Sequence, residues 1–123
     1  MSNTEQMLDN ISFMKDFKPL NETELAAVAK AQEIFNKSSE IPCTACRYCT
    51  EGCPKNIAIP DIFAIRNKQL SSGQLDAAKS EYEAFVLSNE KASACIACGQ
   101  CESVCPQKID IIAQLKTCAN MWE

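Results

Sequence analysis

The chain has 123 residues and a mass of 13.6 kDa, room for one ordinary domain with a modest core and too little for a multidomain enzyme. Its 7 Leu, 11 Ile, 3 Val and 5 Phe stand only a little above the roughly 20% at which chains tend to disorder, whereas nine cysteines with no histidine exclude mixed cysteine–histidine zinc sites, Rieske centres and C-x-x-C-H haem attachment. A net charge of −4 argues against a nucleic-acid partner, and no apolar run reaches a secretion-signal core or the ~20 residues of a membrane span, so the expectation is a soluble cytoplasmic chain with reduced thiols.

Met7, Leu8, Ile11 and Met14 recur at helical spacing behind a Ser2-x-x-Glu5 capping-box pattern, and Lys18-Pro19 stops the helix. A second helix restarts at Asn21, with Glu24 three residues on and Leu25, Val28, Ile34 and Phe35 along one face, and ends near Ser38 and Ser39. A first cysteine block follows. The run D-I-F-A-I-R-N-K-Q-L between Pro60 and Gly73 predicts a short helix with proline near its start and glycine beyond its end. Leu75, Ala78, Tyr82, Phe85 and Val86 predict a longer one before the second block, and Ile112, Leu115, Cys118, Ala119 and Trp122 predict a C-terminal helix packed on the cysteine region. No segment alternates like a strand for long and only three glycines are present, so the predicted fold is all-α with two cysteine-rich loops.

The blocks are Cys43-Thr-Ala-Cys46-Arg-Tyr-Cys49-Thr-Glu-Gly-Cys53-Pro54 and Cys95-Ile-Ala-Cys98-Gly-Gln-Cys101-Glu-Ser-Val-Cys105-Pro106, both C-x2-C-x2-C-x3-C-P. Laid on each other at an offset of 52 residues they also match Ala45 with Ala97, Ile57 with Ile109 and Ile59 with Ile111, an internal repeat. Three closely spaced thiolates on a tight loop turn towards one cubic cluster, and in such a bacterial ferredoxin-type run the fourth cysteine ligates the other cluster. The expected sets are therefore Cys43, Cys46, Cys49 and Cys105 for one [4Fe-4S] cluster and Cys95, Cys98, Cys101 and Cys53 for the second. Each oxidised cluster adds about −2, taking the loaded chain to about −8. Two tetrathiolate zinc knots are the alternative, although zinc favours C-x2-C pairs separated by a longer loop; a disulfide framework would leave an odd cysteine. Arg47, Tyr48 and Gln100 lie between ligands as tuning or surface residues, and Cys118, on an apolar face, reads as a buried free thiol.

I-P-C-T-A-C-R-Y-C-T-E-G-C-P-K (41–55), I-P-D-I-F (59–63) and C-I-A-C-G-Q-C-E-S-V-C-P-Q (95–107) resemble the C-terminal ferredoxin-like extension of iron–sulfur-containing aldo/keto reductases. The wide helical gap between blocks is similar to the α-helical ferredoxin fold of fumarate reductase iron–sulfur subunits. Ser2 to Asn10 also resembles the stretch near the end of the aldo/keto reductase barrel, where the family's contacts to the adenosine part of NADP would fall on Glu5, Gln6 and Asn10. The resemblance implies that residues 1–20 are the last barrel helix, that 21–123 form an α-helical dicluster ferredoxin domain, and that an NADP-linked barrel in cis is the partner. The family's Tyr, Lys, Asp and His catalytic set has no counterpart here, so the expectation is an electron-transfer module that is not catalytic alone, with its redox donor or acceptor unidentified. An independent electron-transfer subunit of a larger oxidoreductase is the alternative.

Overall fold

The computed structural model describes residues 2–15, 17–36 and 40–123, and among them there are seven α-helices and no strand. The chain divides into two compact units, Met1–Ser38 and Ser39–Glu123.

In the first unit, helix α1 spans Thr4–Lys15 and α2 spans Glu22–Asn36. The cap of α1 is Asn3 rather than Ser2: the Gln6 N–H donates to Asn3 Oδ1 at 2.9 Å, and Gln6 Oε1 accepts from the Ser2 N–H at 2.8 Å. Asn3 and Gln6 have the cap-and-third-residue spacing one step later than Ser2 and Glu5, and Glu5 is left in the first turn, where its charge suits the helix dipole. At α2 the expected pair forms, Glu24 N–H to Asn21 Oδ1 at 3.0 Å and Asn21 N–H to Glu24 Oε2 at 2.8 Å. The expected end near Ser38 and Ser39 lies outside the described residues. No described side chain in either helix is buried, and Met7, Leu8, Ile11, Met14, Leu25, Val28, Ile34 and Phe35 all remain exposed.

The second unit carries two single-turn helices, α3 (Tyr48–Glu51) and α6 (Gln100–Ser103), and three longer ones, α4 (Ile59–Ser72), α5 (Leu75–Phe85) and α7 (Ile111–Trp122), with a 3-10 turn at Ala92–Ala94. Helix α4 has Pro60 in its first turn and stops at Gly73, whose φ of 72° lets its N–H close onto Gln69 O at 2.8 Å. Its neighbour α5 buries Ala78 and Tyr82, while Leu75, at the first position, stays exposed. On α7 the buried residues are Ile111, Leu115, Cys118 and Trp122, spaced four, three and four apart along one stripe. With Ile57, Ile59, Ile62 and Phe63 they form a core in which each large side chain contributes about 1.5–3 kcal/mol.

Where α5 meets α7, the Tyr82 and Trp122 rings lie 4.9 Å apart between centroids. The Tyr82 hydroxyl donates to Glu123 Oε1 at 2.6 Å and accepts from the buried Ala92 N–H at 2.7 Å. Glu123 Oε1 also takes the Ser93 N–H at 3.2 Å, and Oε2 takes the Ser93 hydroxyl. One carboxylate and one phenol thus fix the turn leading to Cys95. Burial alone would raise the Glu123 carboxyl, but hydrogen bonds from Ser93 and Tyr82 outweigh it and hold the group below the ordinary value.

Tyr82→Phe strands the Ala92 N–H and should cost about 1–3 kcal/mol, read as a lowered Tm of the loaded protein by circular dichroism. Since the Glu123 carboxyl is depressed in the fold, its stabilising effect is complete above the unfolded-state value and disappears as pH falls through the folded one. The Tm gap between wild type and Glu123→Gln should therefore be widest near neutral pH and close on acidification.

Candidate metal centre

Six thiols in the two blocks, Cys43, Cys46, Cys49 and their repeat mates Cys95, Cys98 and Cys101, sit on loops seven residues long. Turning three side chains of so short a loop to one side requires backbone that L residues rarely adopt. Ala45 and Ala97 both have φ of 54°, Arg47 and Gly99 have 65° and 78°, and Asn56 and Lys108 have 51° and 50°. Each pair is 52 residues apart, so the repeat extends to backbone conformation whether or not the residue is glycine. A left-handed non-glycine residue costs about 1–2 kcal/mol, and five of them around two loops mark a site that strain has been retained to build. Behind each block the chain makes a tight turn, Ile59 N–H to Ile57 O and Ile111 N–H to Ile109 O, both at 2.8 Å, with Ala58 and Asp110 near the inverse γ-turn minimum.

These turns surround two cavities. The first is lined by Cys43, Cys46, Cys49 and Cys105 together with Ile59, Phe63, Ile109 and Ile111. The second is lined by Cys95, Cys98, Cys101 and Cys53 with Ile57, Ile59 and Leu115. All eight cysteines singled out in the two blocks line one cavity or the other, and the fourth cysteine of each block faces the cavity of the opposite one. Cys118 lines neither and is fully buried, its thiol pushed up to about 11 by burial.

Among the described residues no three Cys, Asp or Glu side chains converge closely enough to hold a single metal ion. Instead four thiols drawn from two different loops line each cavity without converging on one point, which suits a multi-atom cluster rather than one zinc. Soft sulfur donors with no carboxylate in the wall, set in apolar surroundings, have the chemistry of an iron–sulfur site. Burial raises the Cys49 thiol to about 11 and moves Cys101 in the same direction, with neighbouring sulfurs adding to the first and Glu102 to the second. Metal uptake therefore releases protons from these thiols.

The cavities differ at their mouths. Arg47, beside the first, forms a bidentate pair with Asp61 at 2.9 and 3.0 Å, which raises the guanidinium further; at the second, the corresponding positions are Gly99 and Ala113. The pair is exposed, so it orients the loop on α4 more than it stabilises the fold. Tyr48, on the first rim, is exposed, and Gln100 takes its place in the second copy. Most of the left-handed residues escape sequence reading because alanine, arginine and lysine carry no sign of such a conformation; of the three pairs, only Gly99 and Asn56 are residue types that favour it.

A protein-family model described as a 4Fe-4S dicluster domain matches residues 42–109. No curated protein and no solved structure matches the chain.

Gly99→Ala has open space for its new methyl group, so its whole cost is conformational. It should destabilise the loaded protein by about 1 kcal/mol in thermal melts and leave the metal content unchanged, as Ala45 and Ala97 already tolerate the same backbone region. A β-branched Gly99→Val should cost more.

Proposed function

We propose that this chain, which belongs to the 4Fe-4S dicluster domain family and is an electron-transfer module binding two [4Fe-4S] clusters, serves an aldo/keto reductase-like oxidoreductase as its C-terminal part. The ligand sets of the proposal are Cys43, Cys46, Cys49 and Cys105 for one cluster and Cys95, Cys98, Cys101 and Cys53 for the other. The observation that supports them is the make-up of the two cavity walls, three thiols of one block with the fourth of the other. Each cluster supplies a one-electron couple. The protein's own part is to hold eight thiolates in place, keep water from the inner walls with isoleucine and phenylalanine, and leave the Cys46 and Cys98 edges exposed towards a redox partner. No helix among the described residues is long and apolar enough to cross a membrane.

The reductase context rests on the resemblance of residues 41–55, 59–63 and 95–107 to the extension of that family. In this reading residues 1–20 are the last helix of an NADP-linked barrel and 21–123 the dicluster domain. The uncovered apolar side chains of α1, Met7, Leu8, Ile11 and Met14, agree with a helix that has a larger body to pack against. No histidine and no glycine-rich phosphate loop is present, so carbonyl reduction belongs to the barrel partner and electron relay to this chain.

Anaerobic reconstitution should give about eight iron and eight acid-labile sulfide per chain, with a brown, dithionite-bleachable absorption that zinc lacks. Cys118→Val should leave the metal content unchanged, while Cys53→Ser should alter the same spectroscopic signal as Cys98→Ser and leave that of Cys46→Ser intact. If Cys53→Ser moves the Cys46 signal instead, each block is self-contained. The loaded chain should be reduced by dithionite and reoxidised by a one-electron acceptor. With NADPH and an aldehyde or quinone it should show no turnover until a barrel partner is added; steady turnover by the chain alone would overturn the division of labour.

A further inference from the structure

The two cavities have one wall residue in common. Ile59 lines the chamber of Cys43, Cys46, Cys49 and Cys105 and also that of Cys95, Cys98, Cys101 and Cys53. It is 1% exposed, lies in the first turn of α4, and is held in place by its N–H bond to Ile57 O. Its repeat mate Ile111 is equally buried, starts α7 in the same way and bonds to Ile109 O, yet lines the first chamber alone; at the second, Leu115 of α7 appears on the wall. The repeat is therefore asymmetric at its centre: of two matched isoleucines, one lines both chambers and the other lines a single one.

We infer that Ile59 is the partition between the two metal sites, a single branched aliphatic side chain that sets their separation and excludes water from the gap, so that it governs their mutual coupling and the polarity felt by both. The inference rests on the crossed ligand sets proposed above. A reduced cluster bears one more negative charge than an oxidised one, so water admitted to its surroundings favours reduction and raises the potential. Removing Ile59 atoms opens the gap to both sites. Removing Ile111 atoms reaches the first site only.

The test is a potentiometric titration followed by electron paramagnetic resonance on anaerobically loaded wild type, Ile59→Ala, Ile59→Val, Ile111→Ala and Ile111→Val, each assayed first for iron and sulfide. With about eight of each retained, both Ile59 variants should shift the two midpoint potentials upward and change the magnetic interaction between the reduced clusters, alanine more than valine. The Ile111 variants should shift one potential and leave the interaction as in wild type. Should Ile59→Ala lose a cluster, Ile59→Val, which removes far less volume, carries the comparison. Equal effects of the two isoleucines, or a fully loaded Ile59 variant with unmoved potentials, would overturn the partition while leaving the ligand sets standing. A wild type that holds about four iron would instead overturn the two-cluster ligand assignment, and the partition with it.

Discussion

Cys53 faces the cavity of the block that begins 42 residues later, and Cys105 faces the cavity of the block that ends before it. This exchange decides where most of the second unit must go. The blocks have to lie against each other, which brings the single-turn helices α3 and α6 into contact, and the intervening chain has to leave and return over a short distance. Helices α4 and α5 are that excursion. They run out and back as an antiparallel pair and deliver the chain to Cys95 through a turn held by Tyr82 and Glu123. Closing a loop of this length has an entropic penalty that grows only slowly with residue number, so a few well-buried isoleucines and the thiol sets together are sufficient to hold it shut.

The two halves of the repeat keep the backbone and exchange the side chains that support it. Two residues before each block's first cysteine the chain is pinned: at Ile41 by Asn67 of α4, whose amide accepts from Ile41 N–H at 2.7 Å and donates to Ile41 O at 2.8 Å, and at Ser93 by Glu123. After each block a helix starts, and Pro60 in the first has no N–H to satisfy. Its mate Ile112 does have one, and Glu102 accepts it at 2.9 Å. Different residues solve the same local problem wherever the cysteine geometry imposes it.

Spacing alone was enough to reveal the two blocks, the all-helical class and the starts of α2 and α4, because each is a local pattern with a direct physical meaning. Cys118 was legible for the same reason, as a small apolar residue in phase with Leu115 and Trp122. The hidden parts are relational. Tyr82 reads as one more apolar residue on a helix face, and only the approach of Ala92 and Glu123 turns its hydroxyl into a structural link. Ala45 and Ala97 look like ordinary helix formers, yet the need to aim neighbouring thiols overrides that preference. Helices α1 and α2 carry apolar residues at helical spacing, but periodicity does not say whether such a stripe is covered, and here it is not.

The exchange of fourth cysteines also has a meaning in time. A ribosome making ~5–20 residues per second needs roughly 3–12 s to travel from Cys43 to Cys105. Throughout that interval the first chamber lacks a wall, and the second does not yet exist. Each chamber takes a cysteine from the opposite block, so the chain can complete neither while only the first block has been made. With the crossed ligand sets proposed above, the first three thiols have to stay reduced and unclaimed by stray metal through the whole synthesis of α4 and α5, and cluster delivery waits for a nearly full-length polypeptide.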